Sequence, residues 1–255
     1  MLVSGQSITE FLSSVLPVPG NGRLERPLVT LTFAQSLDGK IAGKEGKQLI
    51  LSGRESMLMT HWMRTKHDAI LVGIGTALND DPQLNSRHIP EDERPSHLPR
   101  PVILDANLRL RPDCKLLKNY REGKGRRPWV ICDANLASDD GRKSTLEDAG
   151  ARVIGVPSVD GFIMIPNLLK VLYNFGIKTL MVEGGATIIG SFLAESARTK
   201  PNIIIDTLII TIAPTLIGDD GVGYGGTLLA PQIPSLKHIQ TEVMGRDVVV
   251  VSALE

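Results

Sequence analysis

The segment richest in chemical content is Leu180–Gly190, Leu-Met-Val-Glu-Gly-Gly-Ala-Thr-Ile-Ile-Gly. An apolar run ends at Glu183, two glycines follow, and a helical pattern starts at once. Such a junction presents bare main-chain N–H groups and a positive helix end at the carboxyl edge of a sheet. Phosphates bind at such edges, and glycine lets them approach the main chain. The same junction also serves as an ordinary strand-to-helix turn, and the G-x-G-x-x-G fingerprint is absent. A second segment, Val72–Arg87, again runs from an apolar stretch into glycines and then polar residues. Thr76 and Asp80 are four apart and share a face on one helical turn. Asp80 or Asp81 before Pro82 also makes a good turn start. Two such segments in one sheet suggest two walls of a single cleft. A third, Ala34–Gly43, opens from a strand into a Gly-containing loop that could fold over a ligand.

Other chemistries lack residues. The histidines (61, 67, 88, 97 and 238) form neither H-x-E nor H-E-x-x-H, and Cys114 and Cys132 do not make a C-x-x-C pair. No metal site is expected. No serine sits in a G-x-S-x-G elbow, so a hydrolase triad is unsupported.

These segments need a scaffold, and the β-branched runs supply one. Strands are expected over 28–34, 69–72, 101–105, 129–132, 152–156, 179–183 and 206–212. Helices are expected over 52–65, 139–149, 167–175 and 186–194. The first of these carries Ser52 as N-cap and Glu55 three residues on. The stretches 86–100 and 121–128 read as loops. Two further strands, 236–243 and 247–252, flank Met244-Gly245-Arg246 as an antiparallel hairpin. Alternating strands and helices ending in a hairpin predict an α/β fold: a mostly parallel sheet with helices on both faces and an antiparallel edge. Residues 1–26, with a short amphipathic helix near 8–16 and a Pro/Gly/Asn stretch at 17–22, read as a peripheral arm on the surface or on a partner subunit. Residues 27–255 read as one domain.

Hydrophobic residues make up 42% of the 255 residues and aromatics 4%, so aliphatic side chains must build the core. Lys plus Arg and Asp plus Glu are 28 each, so no global field attracts nucleic acid. No apolar run approaches the ~18 residues of a membrane span, and no secretory pattern opens the chain. The cytoplasm is the expected compartment.

The three segments taken together, S-L-D-G-K, D-D-P-x-L and E-G-G-A-T in this order, resemble the 2,5-diamino-6-ribosylamino-4(3H)-pyrimidinone 5′-phosphate reductases of fungi and archaea. They also resemble the reductase half of the bacterial bifunctional deaminase–reductase. The resemblance covers about residues 27–253. It implies a dihydrofolate reductase-like fold, a homodimer, and hydride transfer from NADPH to C1′ of a ribosylamino group on a phosphorylated pyrimidine. Gly184, Gly185, Ala186, Thr187 and Ile188 would then cradle the cofactor pyrophosphate. Ala34, Gln35 and Ser36 would border the nicotinamide, with Ser36 on the substrate side. Thr76 and Asp80 would line the meeting point of cofactor and substrate. Leu84 and Arg87 would be substrate positions, Arg87 toward the ribose phosphate. Glu183 would face the pyrimidine, and Asp80 and Glu183 are the charged residues nearest the reacting carbon. Asp105, Arg109 and Arg111 would meet the 2′-phosphate, and Val156 another part of the cofactor. Glu55 does not match the acid with which dihydrofolate reductases grip the pterin, which argues against folate. The zinc deaminase motifs of the bifunctional protein are absent.

Overall fold

The computed structural model describes residues 5–20, 25–136, 141–198, 203–224 and 234–255. Of the predicted segments, Asn21, Gly22 and the expected helix start at Asp139 lie outside them.

In chain order the first half comprises α1 (Gly5–Val15), β1 (Leu28–Ser36), β2 (Lys40–Ala42), α2 (Arg54–Thr65), β3 (Ala69–Gly73), α3 (Ile74–Asp80), β4 (Arg100–Leu104) and α4 (Lys115–Arg121). Then come β5 (Trp129–Asp133), α5 (Gly141–Asp148), β6 (Arg152–Val156), β7 (Ser158–Val159), β8 (Phe162–Ile163), α6 (Ile165–Asn174), β9 (Thr179–Val182) and α7 (Ala186–Arg198). The end holds β10 (Thr207–Ala213), β11 (Val222–Gly223), β12 (Leu236–Met244) and β13 (Asp247–Leu254).

Nine strands form one sheet in the order β12-β13-β10-β1-β9-β3-β4-β5-β6. From β10 to β6 every neighbouring pair is parallel, while β13 and β12 add antiparallel at one edge. This is the expected mixed sheet with a terminal hairpin. Every residue of β3 is buried, as an apolar central strand covered on both faces requires. One face carries α1, α2, α4 and α5 through residues such as Leu12, Met63, Leu117 and Leu146. The other carries α6 and α7 through Leu168, Leu172, Ile189 and Phe192.

Two expectations need correction. The N-terminal arm is not peripheral over α1: Ile8, Phe11, Leu12 and Val15 are buried in one cluster with Met59, Trp62 and Met63. Their i, i+3, i+4, i+7 spacing makes a stripe wide enough to join the core. Ser52 does not cap α2. Gly53 is the N-cap, and the cap comes from β13, where the Asp247 carboxylate accepts the Gly53 N–H at 2.6 Å and the Ser56 hydroxyl.

β9 lies between β1 and β3, so the chain leaves the sheet centre and returns to it. Leu31 and Leu71 both stand in register with Val182. The carboxyl ends of β1, β9 and β3 therefore open onto one space, the usual place for a ligand crevice in an open α/β sheet.

Candidate active site

A cleft of about 950 Å³ occupies that space. Its floor and walls include Ala34, Gly73–Thr76, Asp80 and Glu183–Ile188, which brings the first two sequence segments together. The third contributes the roof. The turn after β1 feeds β2, which pairs with β11 in a separate two-stranded sheet, and Ile41, Ala42, Leu49, Ile50 and Val222 face the cleft from there. Asp38 holds the roof's hinge. Its carboxylate accepts the Ser36 hydroxyl at 2.5 Å and the Gly218 N–H at 2.7 Å, and these bonds lower its pKa to about 2.

The two glycines differ in what they do. A Cβ on Gly184 would stand 2.2 Å from Ile188 Cβ, so this glycine lets the first turn of α7 pack against the end of β9. A Cβ on Gly185 would meet only Thr76 Oγ1, at 2.9 Å, so this glycine keeps open the space between α7 and α3. The first amide of α7 to bond within the helix is that of Ile189, to Gly185 O at 3.1 Å. The amides of Ala186, Thr187 and Ile188 precede it, and a helix leaves such groups without an internal partner. Free amides, a positive helix end and room for a close approach fit a pyrophosphate.

Glu183 is fixed by a residue the sequence reading missed. Arg64 donates from Nε to Oε1 at 2.7 Å and from Nη2 to Oε2 at 2.6 Å, and its Nη1 donates to Asn85 O at 2.8 Å. Such fork-on-carboxylate geometry sets the orientation of both groups. Arg64 sits in the last turn of α2, where a basic residue reads from sequence as a partner of the helix dipole. Asp80 is half-buried, and burial pushes its carboxyl above the ordinary value although Asn79 Nδ2 donates to it at 2.7 Å.

Further along the cleft, Asp105 is fully buried and accepts the Leu110 N–H at 2.8 Å; burial raises its pKa. It shapes the turn that delivers Asn107 and Arg109 to the cleft wall. Arg111 turns away, toward Asp81 at 3.6 Å and Asp113 at 3.7 Å.

Besides Asp105 and Arg111, five predicted positions are not on the cleft surface. Ser36 is buried, and its hydroxyl serves the Asp38 turn. Leu84 and Val156 are buried in the two core layers, because each lies where an apolar side chain has no solvent-facing option. Arg87 stands just outside, its Nη1 on Asn85 Oδ1 at 3.1 Å, near enough to Arg64 and Glu183 for their charges to act on it. Gln35 does not line the cleft either, although the adjacent Ala34 does.

Residues 27–250 match the family model described as the RibD C-terminal domain. The 2,5-diamino-6-ribosylamino-4(3H)-pyrimidinone 5′-phosphate reductase of Debaryomyces hansenii is 41% identical over 220 residues, 85% of each chain. The riboflavin biosynthesis protein RibD of Aquifex aeolicus is 30% identical over 227 residues, 89% of this chain and 57% of that one. The solved riboflavin biosynthesis reductase Rib7 of Saccharomyces cerevisiae superposes with a TM-score of 0.76 at 29% identity, covering 97% of this chain and 99% of that one. The α/β fold is therefore that of these reductases, with the mostly parallel sheet and antiparallel terminal hairpin expected from the sequence. With a match over most of its length and a cleft at the shared strand ends, the chain belongs to the RibD C-terminal domain family.

Proposed function

We propose that the chain reduces the ribosylamino group of 2,5-diamino-6-ribosylamino-4(3H)-pyrimidinone 5′-phosphate to a ribitylamino group in riboflavin biosynthesis, with NADPH as reductant. The observation that carries this is the convergence, in a chain 41% identical to a relative of that name, of the free amino end of α7, Thr76, Asp80 and the Arg64–Glu183 pair in one cleft.

NADPH supplies the hydride. The chain's residues do the rest by orientation and electrostatics. The amides of Ala186, Thr187 and Ile188 hold the pyrophosphate, with Gly185 leaving room beside Thr76. Ala34 and Arg109 both line the cleft, where Ala34 would border the nicotinamide and Arg109 would meet the 2′-phosphate. Glu183, locked by Arg64, accepts N–H groups of the pyrimidine. Arg87, with free guanidinium donors at the rim, takes the ribose phosphate. Ring opening gives a C1′=N bond, and hydride addition at C1′ leaves the nitrogen in need of one proton. Asp80, whose carboxyl is raised by burial, holds that proton near the reacting carbon. Glu183 already has both oxygens on a guanidinium and is the poorer donor.

On this reading the enzyme is a cytoplasmic homodimer. The balanced charge gives no field that would draw nucleic acid, and among the described residues no helix is long and apolar enough to cross a membrane. The test is direct: purified chain, the ribosylaminopyrimidine phosphate and NADPH. Loss of NADPH absorbance with formation of a product carrying two more hydrogens is expected. Turnover of dihydrofolate but not of the pyrimidine would overturn the reading.

A further inference from the structure

We propose that the β7–β8 hairpin is the adenine platform of this cleft, with Phe162 as the stacking ring; the proposal rests on the dinucleotide reading above. Phe162 is a large aromatic left 74% exposed in a chain with few aromatics. Together with Gly161 and Ile163 it lines the cleft, as do Ala106, Asn107 and Arg109. Among the described residues it makes no ring or cation–π contact, so no aromatic or cationic group already occupies it.

The hairpin holds that ring firmly. Asp160 and Gly161 form its two-residue turn with φ of 51° and 77°, the positive pair that matches the twist of flanking strands. Ile163 is buried in the core layer of α6 and α7, and Ser158 donates a hydrogen bond to Asp133 at the end of β5. Val159 stands directly opposite Phe162 and is 58% exposed, so the two side chains share one outward face and make an apolar shelf.

Position identifies what the shelf is for. The cleft takes in the roof, Glu183, the amino end of α7, the end of β4 and the β7–β8 hairpin. Three strand spacings, about 14 Å, separate β9 from β5, against which β8 packs. A ribose and a purine extending from a phosphate on α7 cover that reach. Asn107 and Arg109 supply polar groups along the way, and the purine ends over an aromatic face, to which any base stacks.

Calorimetric titration of the purified chain and of Phe162→Ala and Phe162→Trp tests this, with three probes: NADPH, adenosine 2′,5′-bisphosphate, and reduced nicotinamide mononucleotide, which lacks the adenosine. Phe162→Ala should weaken the first two by about 5- to 150-fold and leave the third unchanged, while Phe162→Trp restores binding. The side chain is exposed, so thermal melts of the variants should match the wild type. Wild-type affinity for NADPH in Phe162→Ala, or equal losses for NADPH and the mononucleotide, overturns the platform while the cofactor reading stands. A wild-type chain that binds neither NADPH nor the bisphosphate overturns both.

Discussion

Gly184 and Gly185 are adjacent and chemically identical, yet the space around each assigns it a different task. At Gly184 an added Cβ would overlap Ile188 at its own Cβ, an atom that cannot swing aside, so the first turn of α7 would have to move. Gly184→Ala should cost ~1–3 kcal/mol of stability, which lowers the melting temperature of a chain this size by about 2–4 °C per kcal/mol. At Gly185 the nearest atom is the end of a threonine side chain, and neither glycine has a positive φ. Strain is therefore not the issue there; occupancy of the ligand's volume is. Gly185→Val should leave the melt close to wild type and weaken NADPH binding at least roughly tenfold, about 1.4 kcal/mol. Titration beside a melt separates the two cases. If Gly185→Val melts normally and binds NADPH with unchanged affinity, the amino end of α7 is not the pyrophosphate site.

Between elements, the most informative contact is one the local sequence does not announce. Asp247, fully buried at the start of β13, caps α2 across 194 positions through its bond to the Gly53 N–H. The cap orients the helix whose far end carries Arg64 to Glu183. Asp247→Ala leaves the half-buried Gly53 N–H without its acceptor and the Ser56 hydroxyl with only Gly53 O at 3.3 Å, at a cost of ~1–3 kcal/mol. A drop in melting temperature of several degrees is expected, and a variant that melts within a degree of wild type would show that Ser52 or water replaces the cap. The same contrast marks the boundary of what the sequence could tell. Strands such as β3 and the β12–β13 hairpin follow from apolar runs and Met244-Gly245-Arg246, signals contained within a few residues. β2, β11, β7 and β8 are two or three residues long and show no period. The insertion of β9 between β1 and β3 is a property of packing alone. Of the candidate site, the Glu183–Gly185 junction was legible as chemistry, and Thr76 and Asp80 as a pair. Arg64 was not, because its partner lies 119 residues away, and Phe162 was not, because an exposed aromatic in a loop carries no local signal. Leu84 and Val156 entered by resemblance, and the core claims both side chains.

Across the whole molecule, the two core layers bury imidazoles as well as aliphatic groups, and this makes stability depend on pH. His61 is fully buried on α2, its ring edge on His88 at 4.5 Å, and neither ring nitrogen has a hydrogen-bond partner. Burial, with Arg64, His88 and Arg87 nearby, lowers its pKa to about 2. His67 bridges α2 to β1, with Nδ1 2.8 Å from Met63 O and Nε2 2.9 Å from Thr30 Oγ1. A carbonyl only accepts, so Nδ1 carries the proton and Nε2 takes the threonine hydroxyl; burial lowers this pKa as well. Both groups favour the neutral form in the folded chain and protonate near pH 6.5 once unfolded. Above that value their contribution is constant. As pH falls below it, the unfolded state binds protons that the native state refuses, and stability drops by ~1.4 kcal/mol per pH unit for His61. Between pH 7 and 5 His61 should remove about 2 kcal/mol, near 4–8 °C of melting temperature, and His67 acts in the same direction. His61→Leu removes one of them and keeps an apolar side chain of similar size in the pocket beside Asn85. The variant's melting temperature should therefore fall by about 4–8 °C less than the wild type's over the same interval. Melts at pH 7, 6 and 5 decide it: parallel acid slopes for the two proteins would mean that His61 takes up its proton while folded, and that the pocket between α2 and Asn85 admits a charge.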